Sequence, residues 1–123
     1  MAITTINLMT VFGLPSHRPS TSAGEMVRHF LEDLELSQAK AARSLGMTTN
    51  RLNEIVKNKR RVSADTALRF AAYFGTTAQF WLNVQVAWDL WNEMQRSARK
   101  TLYATIRKRR PRAVREAAPH VVA

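Results

Sequence analysis

The sequence predicts an all-α protein: a five-helix domain preceded by an N-terminal arm and followed by a basic C-terminal extension. Three observations carry this reading. Only four of the 123 residues are Gly and four are Pro, while 46% are apolar, a balance that favours helices over turn-rich sheet. Apolar side chains recur at intervals of three and four, the period of a helix with one buried side. Ser or Thr stands ahead of each such stretch, and Gly46 and Gly75 follow two of them, as helix starts and stops require.

Residues 1–21 mix Thr, Ser, Pro15 and Pro19 with scattered apolar side chains and show no sustained period, so they read as an arm. Ser22-Ala23-Gly24-Glu25 is a capping-box pattern, in which hydroxyl and carboxylate each take an orphan amide. The first helix then places Val27, Phe30, Leu31 and Leu34 on one face and ends at Leu36. Ser37 caps a second, where Ala39, Ala41, Ala42 and Leu45 allow a close neighbour and Gly46 provides the stop. Thr48 caps a third helix, with Leu52, Ile55 and Val56 inward and Thr49, Asn50, Arg51, Asn53 and Glu54 outward. It breaks near Asn58, and Lys57 to Arg61 form a basic loop.

Ser63 opens the fourth helix, with Leu68, Ala71 and Ala72 inward and Gly75 as its end. Thr77 caps the fifth, where Trp81, Val84, Trp88 and Trp91 form an apolar stripe that Leu102 and Ile106 prolong. The stripe completes the core through Trp81 and Trp88, and the fifth helix with its extension is the candidate dimer surface. Pro111, set among Arg and Lys, closes the helical stretch and begins a loose tail. The chain thus divides into an arm (1–21), a helical domain (22–95) and a basic extension (96–123) that is helical to about residue 106.

Composition removes several classes of function. There is no Cys, so disulfides, thiolate metal sites and a Cys nucleophile are excluded. His17, His29 and His120 share no metal-ligand spacing. No nucleophile–base pair or Gly-rich phosphate loop stands at a recognised spacing, so neither catalysis nor a cofactor is expected. The apolar flavour of the N-terminus lacks a basic start and cleavage site, and its run is too short for a bilayer. A cytoplasmic protein without membrane contact is the expectation. Formal charge is +10, but residues 1–95 hold ten basic and eight acidic side chains, against nine and one in residues 96–123. A basic block of this kind attracts polyanions without choosing a sequence, and it serves solubility equally well.

The middle of the chain is more specific. Two short helices around a Gly-containing turn describe the unit that enters a major groove. Asn can pair with adenine, Arg can fork onto guanine, and the Thr methyl can touch thymine. Thr49, Asn50, Arg51 and Asn53 are therefore the candidate base-contacting residues. Ser37, Gln38, Thr48, Lys57, Asn58, Lys59, Arg60 and Arg61 are the candidate backbone contacts, which fix register and not sequence. Glu54 is expected to pair with Arg51 at i+3 rather than read cytosine. A solvated helix face, or a helical bundle that binds RNA through its basic tail alone, is the competing reading.

Ser37-Gln38, Leu45-Gly46, Asn53-Glu54-Ile55-Val56, Lys59-Arg60, Asp65-Thr66-Ala67-Leu68 and Phe80-Trp81-Leu82-Asn83-x-Gln85 together resemble the HigA antitoxin branch of the phage-repressor-like (XRE) helix-turn-helix family, over residues 24 to about 90. The resemblance implies a lambda-repressor-like fold, a homodimer on double-stranded operator DNA, repression of the chain's own operon and a HigB-like ribonuclease toxin as partner. The alternative is a stand-alone phage-like repressor without a toxin. The family's base-contacting positions fall on Thr49, Asn50, Arg51 and Asn53, and its backbone-contacting positions on Gln38 and the loop after Asn58. Lys40-Ala41 departs from the family's usual Glu-Leu. Ile6, Leu8, Val11 and Phe12 of the arm are the expected toxin-docking side chains.

Overall fold

A computed structural model describes residues 17–117, and every regular element among them is helical. The helices are α1 (Ala23–Asp33), α2 (Gln38–Leu45), α3 (Thr49–Val56), α4 (Ala64–Phe74), α5 (Ala78–Met94), α6 (Ser97–Lys108) and α7 (Arg112–Ala117). Residues 19–88 form one compact unit, and the described residues from Asp89 onward belong to another. The arm side chains Ile6, Leu8, Val11 and Phe12 lie outside the described residues.

All five hydroxyl caps expected from the sequence are present. The Oγ of Ser22, Ser37 and Ser63 accepts from the amides of Glu25, Lys40 and Thr66 at 3.1, 3.1 and 3.3 Å. Thr48 and Thr77 do the same for Arg51 and Phe80, both at 3.1 Å. Each bond satisfies a donor that has no partner within its own helix.

The helix ends are equally local. α2 closes on Gly46 at φ 70°, with Met47 N donating to Ala42 O at 3.0 Å, the left-handed closure that glycine adopts without strain. Asn58 closes α3 in the same way at φ 59°, with Lys59 N on Glu54 O at 2.8 Å. The end of α1 has the same form, with Leu36 N on Leu31 O at 2.9 Å, but its left-handed residue is Glu35 at φ 56°. A side chain with a Cβ is strained there. Glu35→Gly is therefore expected to stabilise the fold by about 0.5–1 kcal/mol, seen as a higher urea midpoint with unchanged slope.

α1 packs on α3, and α2 packs on α3 and α4. Val27, Leu31, Ala41, Ala42, Leu45, Leu52, Ile55, Val62, Ala67, Phe70 and Trp81 form the core of the 19–88 unit, together with Ala23. Trp81 is fully buried and sits among four phenylalanines, with ring centroids 5.7 Å from Phe30, 5.0 Å from Phe70, 5.8 Å from Phe74 and 5.2 Å from Phe80. Its indole Nε1 donates to Thr76 Oγ1 at 2.7 Å, so the one polar atom of the ring is not lost to burial.

Several faces differ from the sequence reading. On α4 the buried stripe is Thr66, Ala67 and Phe70; Leu68 is 63% exposed and Ala72 is exposed as well. Two apolar stripes compete along that helix, and the one carrying the larger aromatic area is buried. Leu34, expected inward, is 53% exposed because α1 stops at Asp33, and Ala39 also faces solvent. Trp88 and Trp91 are half-buried.

The fifth helix does not run on to Ile106. α5 ends at Met94, Arg96 is extended (φ −77°, ψ 113°), and α6 begins anew at Ser97. Neither Gly nor Pro marks the break. Glu93 gathers Arg99 Nε at 3.1 Å, Tyr103 Oη at 3.3 Å and Arg96 Nη1 at 3.4 Å around it. Beyond Pro111 the chain forms α7 in place of the expected loose tail. Proline is tolerated at a helix start, where no amide partner is required, and Pro111 O accepts from the amides of Val114 and Arg115.

Candidate nucleic-acid interface

Three contacts fix the orientation of α3. Its buried Leu52 and Ile55 hold it to the core. Its C-terminal carbonyls abut Gly24 at the start of α1, where a Cβ would stand 2.7 Å from Val56 O and closer still to Ile55 O. Asn53 Nδ2 donates to Gln38 Oε1 at 3.1 Å, bridging α3 to the first residue of α2. That bond uses one group of each amide, and each amide has another to offer.

The polar side of α3 is not uniformly free. Thr49 and Asn50 are exposed, whereas Arg51, Asn53 and Glu54 are half-buried. The expected Arg51–Glu54 pair is replaced by partners from neighbouring elements. Glu54 accepts from Asn50 Nδ2 at 2.9 Å and pairs with Arg60 of the basic loop at 3.4 Å. Arg51 reaches α4, where its Nη2 donates to Thr66 Oγ1 at 2.8 Å and lies 3.4 Å from Asp65 Oδ2. An i+3 pair on an exposed helix face is weak, and the buried hydroxyl beside a carboxylate is the better acceptor set.

Asp65 in turn takes Arg69 Nε at 3.0 and 3.2 Å, and Arg69 Nη1 donates to the carbonyls of Leu45 and Gly46 at 2.8 and 3.0 Å. Arg69 thus caps the C-terminus of α2, where cations are favoured. Its hydrogen bond holds the Asp65 carboxyl below the ordinary 3.8, against a smaller opposing desolvation, and Arg51 adds to the lowering. A carboxyl with a depressed pKa stabilises the fold above its unfolded value and loses that contribution as pH falls through the folded one. Thermal stability is accordingly expected to hold down to about pH 4 and then fall, less steeply in Asp65→Asn, as melting curves between pH 2 and 7 will show.

Lys57, Asn58, Lys59, Arg60 and Arg61 are all exposed. Their loop is closed at its far end by Gln85 of α5, buried, whose Oε1 accepts from Val62 N at 2.9 Å. Ser37 and Thr48 are exposed caps, and Gln38 is half-buried. The structure therefore brings the start of α2, the first turn of α3 and the basic loop together around α3. Asp65, Thr66, Arg69 and Gln85 were not identified as members of the site by sequence reasoning, although Asp65, Thr66 and Gln85 lie in the stretches that carry the family resemblance.

Residues 27–81 match the helix-turn-helix family. Virulence-associated protein I of Dichelobacter nodosus is 45% identical over 73 residues, 58% of this chain and 68% of that protein. An addiction module antidote protein of the HigA family from Coxiella burnetii superposes with TM-score 0.64 at 39% identity, covering 71% of this chain and 95% of that one. This chain belongs to the HigA helix-turn-helix family. A further HigA structure, the Pseudomonas aeruginosa antitoxin with the higBA promoter, has TM-score 0.56 and 34% identity over 82% of this chain and 98% of its own. Within the helix-turn-helix match lie α2, the Gly46 turn, α3 and α4; α6 and α7 fall beyond residue 81. Among the described residues no helix is long and apolar enough to cross a membrane, and no group of three His, Asp or Glu is placed to hold a metal ion.

Proposed function

We propose that this chain is the antitoxin of a type II toxin–antitoxin pair, binding double-stranded operator DNA as a homodimer to repress its own operon and binding a HigB-like ribonuclease toxin. The observation that carries the reading is the orientation of α3: its first turn, with Thr49 and Asn50, is exposed between the capped start of α2 and the basic loop. In this proposal residues 22–95 are the DNA-reading domain, with Thr49, Asn50, Arg51 and Asn53 toward the bases. Ser37, Gln38, Thr48, Lys57, Asn58, Lys59, Arg60 and Arg61 face the backbone. The arm at 1–21 takes the toxin, and the extension at 96–123 adds sequence-independent attraction. The protein works in the cytoplasm and performs no catalysis. Antitoxin HigA-1 of Vibrio cholerae, 35% identical over 80 residues, supports the assignment.

Co-expression with the neighbouring reading frame, a pull-down, and a footprint of the upstream DNA test partner and operator together. A protected site with paired half-sites about 34 Å apart and a co-purifying small ribonuclease are the expected results. Protection without a co-purifying protein would identify a stand-alone repressor. Asn50→Ala is expected to weaken the protected site by about 1–3 kcal/mol and relax preference at one base pair. Lys59→Ala should weaken all duplexes alike and flatten the salt slope by about one unit. Equal losses from both substitutions on every sequence would count against base readout.

A further inference from the structure

We infer that Asp65, fixed by Arg69, is a positioning residue that sets the pose of Arg51 and thereby sharpens the base preference of α3. The inference rests on the DNA-reading function proposed above and names a determinant of specificity that lies on a different helix. Its basis is a continuous polar chain across three elements. The carbonyls of Leu45 and Gly46, at the turn between α2 and α3, accept from Arg69 Nη1 at 2.8 and 3.0 Å. Arg69 Nε holds both carboxylate oxygens of Asp65 at 3.0 and 3.2 Å. The Asp65 carboxylate and the fully buried Thr66 hydroxyl then meet a single nitrogen of Arg51, Nη2, at 3.4 and 2.8 Å.

Two details make this more than a surface ion pair. Arg51 Nε is buried and meets no acceptor among the described residues. A long cationic side chain left to itself does not choose a pose that strands a donor, so the surroundings impose it. Arg69, which this carboxylate braces, ties α4 to the turn between α2 and α3, so the guanidinium of Arg51 is registered against the motif as a whole. An arginine already ordered before contact loses less rotamer freedom on binding. It also offers its remaining donors, those of Nη1 above all, in one direction, so that an ill-matched base cannot be met by a different rotamer.

The test is selection from a pool of randomised duplexes by the full-length wild type, Arg51→Ala, Asp65→Asn and the double variant, with melting temperature measured in parallel. Arg51→Ala is expected to erase preference at one base pair. Asp65→Asn should cut preference at that same base pair about fivefold, leave the others unchanged, and add nothing in the Arg51→Ala background. Asp65→Glu, which keeps the charge, should recover part of the loss. A uniform weakening across all base pairs, or wild-type preferences in Asp65→Asn, overturns the inference. If Arg51→Ala changes no preference while Asn50→Ala does, the positioning inference fails and DNA reading stands. If the wild type selects no sequence at all, both fail.

Discussion

Trp81→Ala is expected to lower the free energy of unfolding by about 3–5 kcal/mol, a large share of what a domain of this size possesses. The indole is fully buried and touches Phe30 of α1, Phe70 and Phe74 of α4 and Phe80 of α5, while Phe30 and Phe74 also stack directly at 4.9 Å. Truncation leaves a void that those four rings cannot close without disturbing the Phe30–Phe74 stack and the tilted Phe70–Phe74 contact. It also removes the donor to the Thr76 hydroxyl, which keeps its own bond to Thr77 O at 3.3 Å. Trp81→Phe retains an aromatic ring and should cost about half as much. Urea unfolding of both variants checks the ranking, and equal stability of Trp81→Ala and wild type would show that the aromatic cluster is not what joins α1, α4 and α5.

Gly24→Ala should be nearly as damaging, at about 3 kcal/mol, although it adds only one methyl group. The added carbon would collide with the carbonyl oxygens of Ile55 and Val56 and the side chain of Asn58. Two of these obstacles are backbone, so α1 and α3 must part. Val27 and Leu31 on one side, with Leu52 and Ile55 on the other, then lose their fit. Since α3 carries the exposed Thr49 and Asn50, DNA affinity should drop in step with stability. The neighbouring Ala23→Gly provides the control, with an expected loss of about 1 kcal/mol. A Gly24→Ala protein with wild-type urea midpoint would mean that α1 and α3 tolerate a wider spacing.

Where a structural feature depends on neighbours in sequence, the sequence displayed it. Each of the five caps is a hydroxyl three residues from the amide it serves, and the Gly46 and Gly75 closures come from residue type alone. Glu35 escaped notice because a charged residue occupies a position that glycine usually fills. The burial of Phe70 over Leu68 was hidden for a different reason: both stripes are apolar, and only the packing of α4 against its neighbours selects one. The break after Met94 is held by the side chains around Glu93, not by a residue that cannot be helical.

The same division runs through the candidate site. Residue types on α3 were legible, as was the basic loop, since both follow from helical spacing and composition. Partner choice was not. Arg51 finds Thr66 and Asp65 on the next helix, and Glu54 finds Arg60 across the loop. In each case the acceptor is set by the angle between elements, and this quantity has no local signature.

Because Val62 gives its amide to the buried Gln85, the three residues ahead of it, Lys59, Arg60 and Arg61, are anchored at both ends, by the Asn58 closure and by α5. Their backbone freedom is surrendered once, when the domain folds, and not again when a polyanion arrives. The cationic segment consequently acts as a rigid comb and not as a flexible tether, so encounter with a duplex should be governed by electrostatic attraction and alignment with little further ordering of the chain.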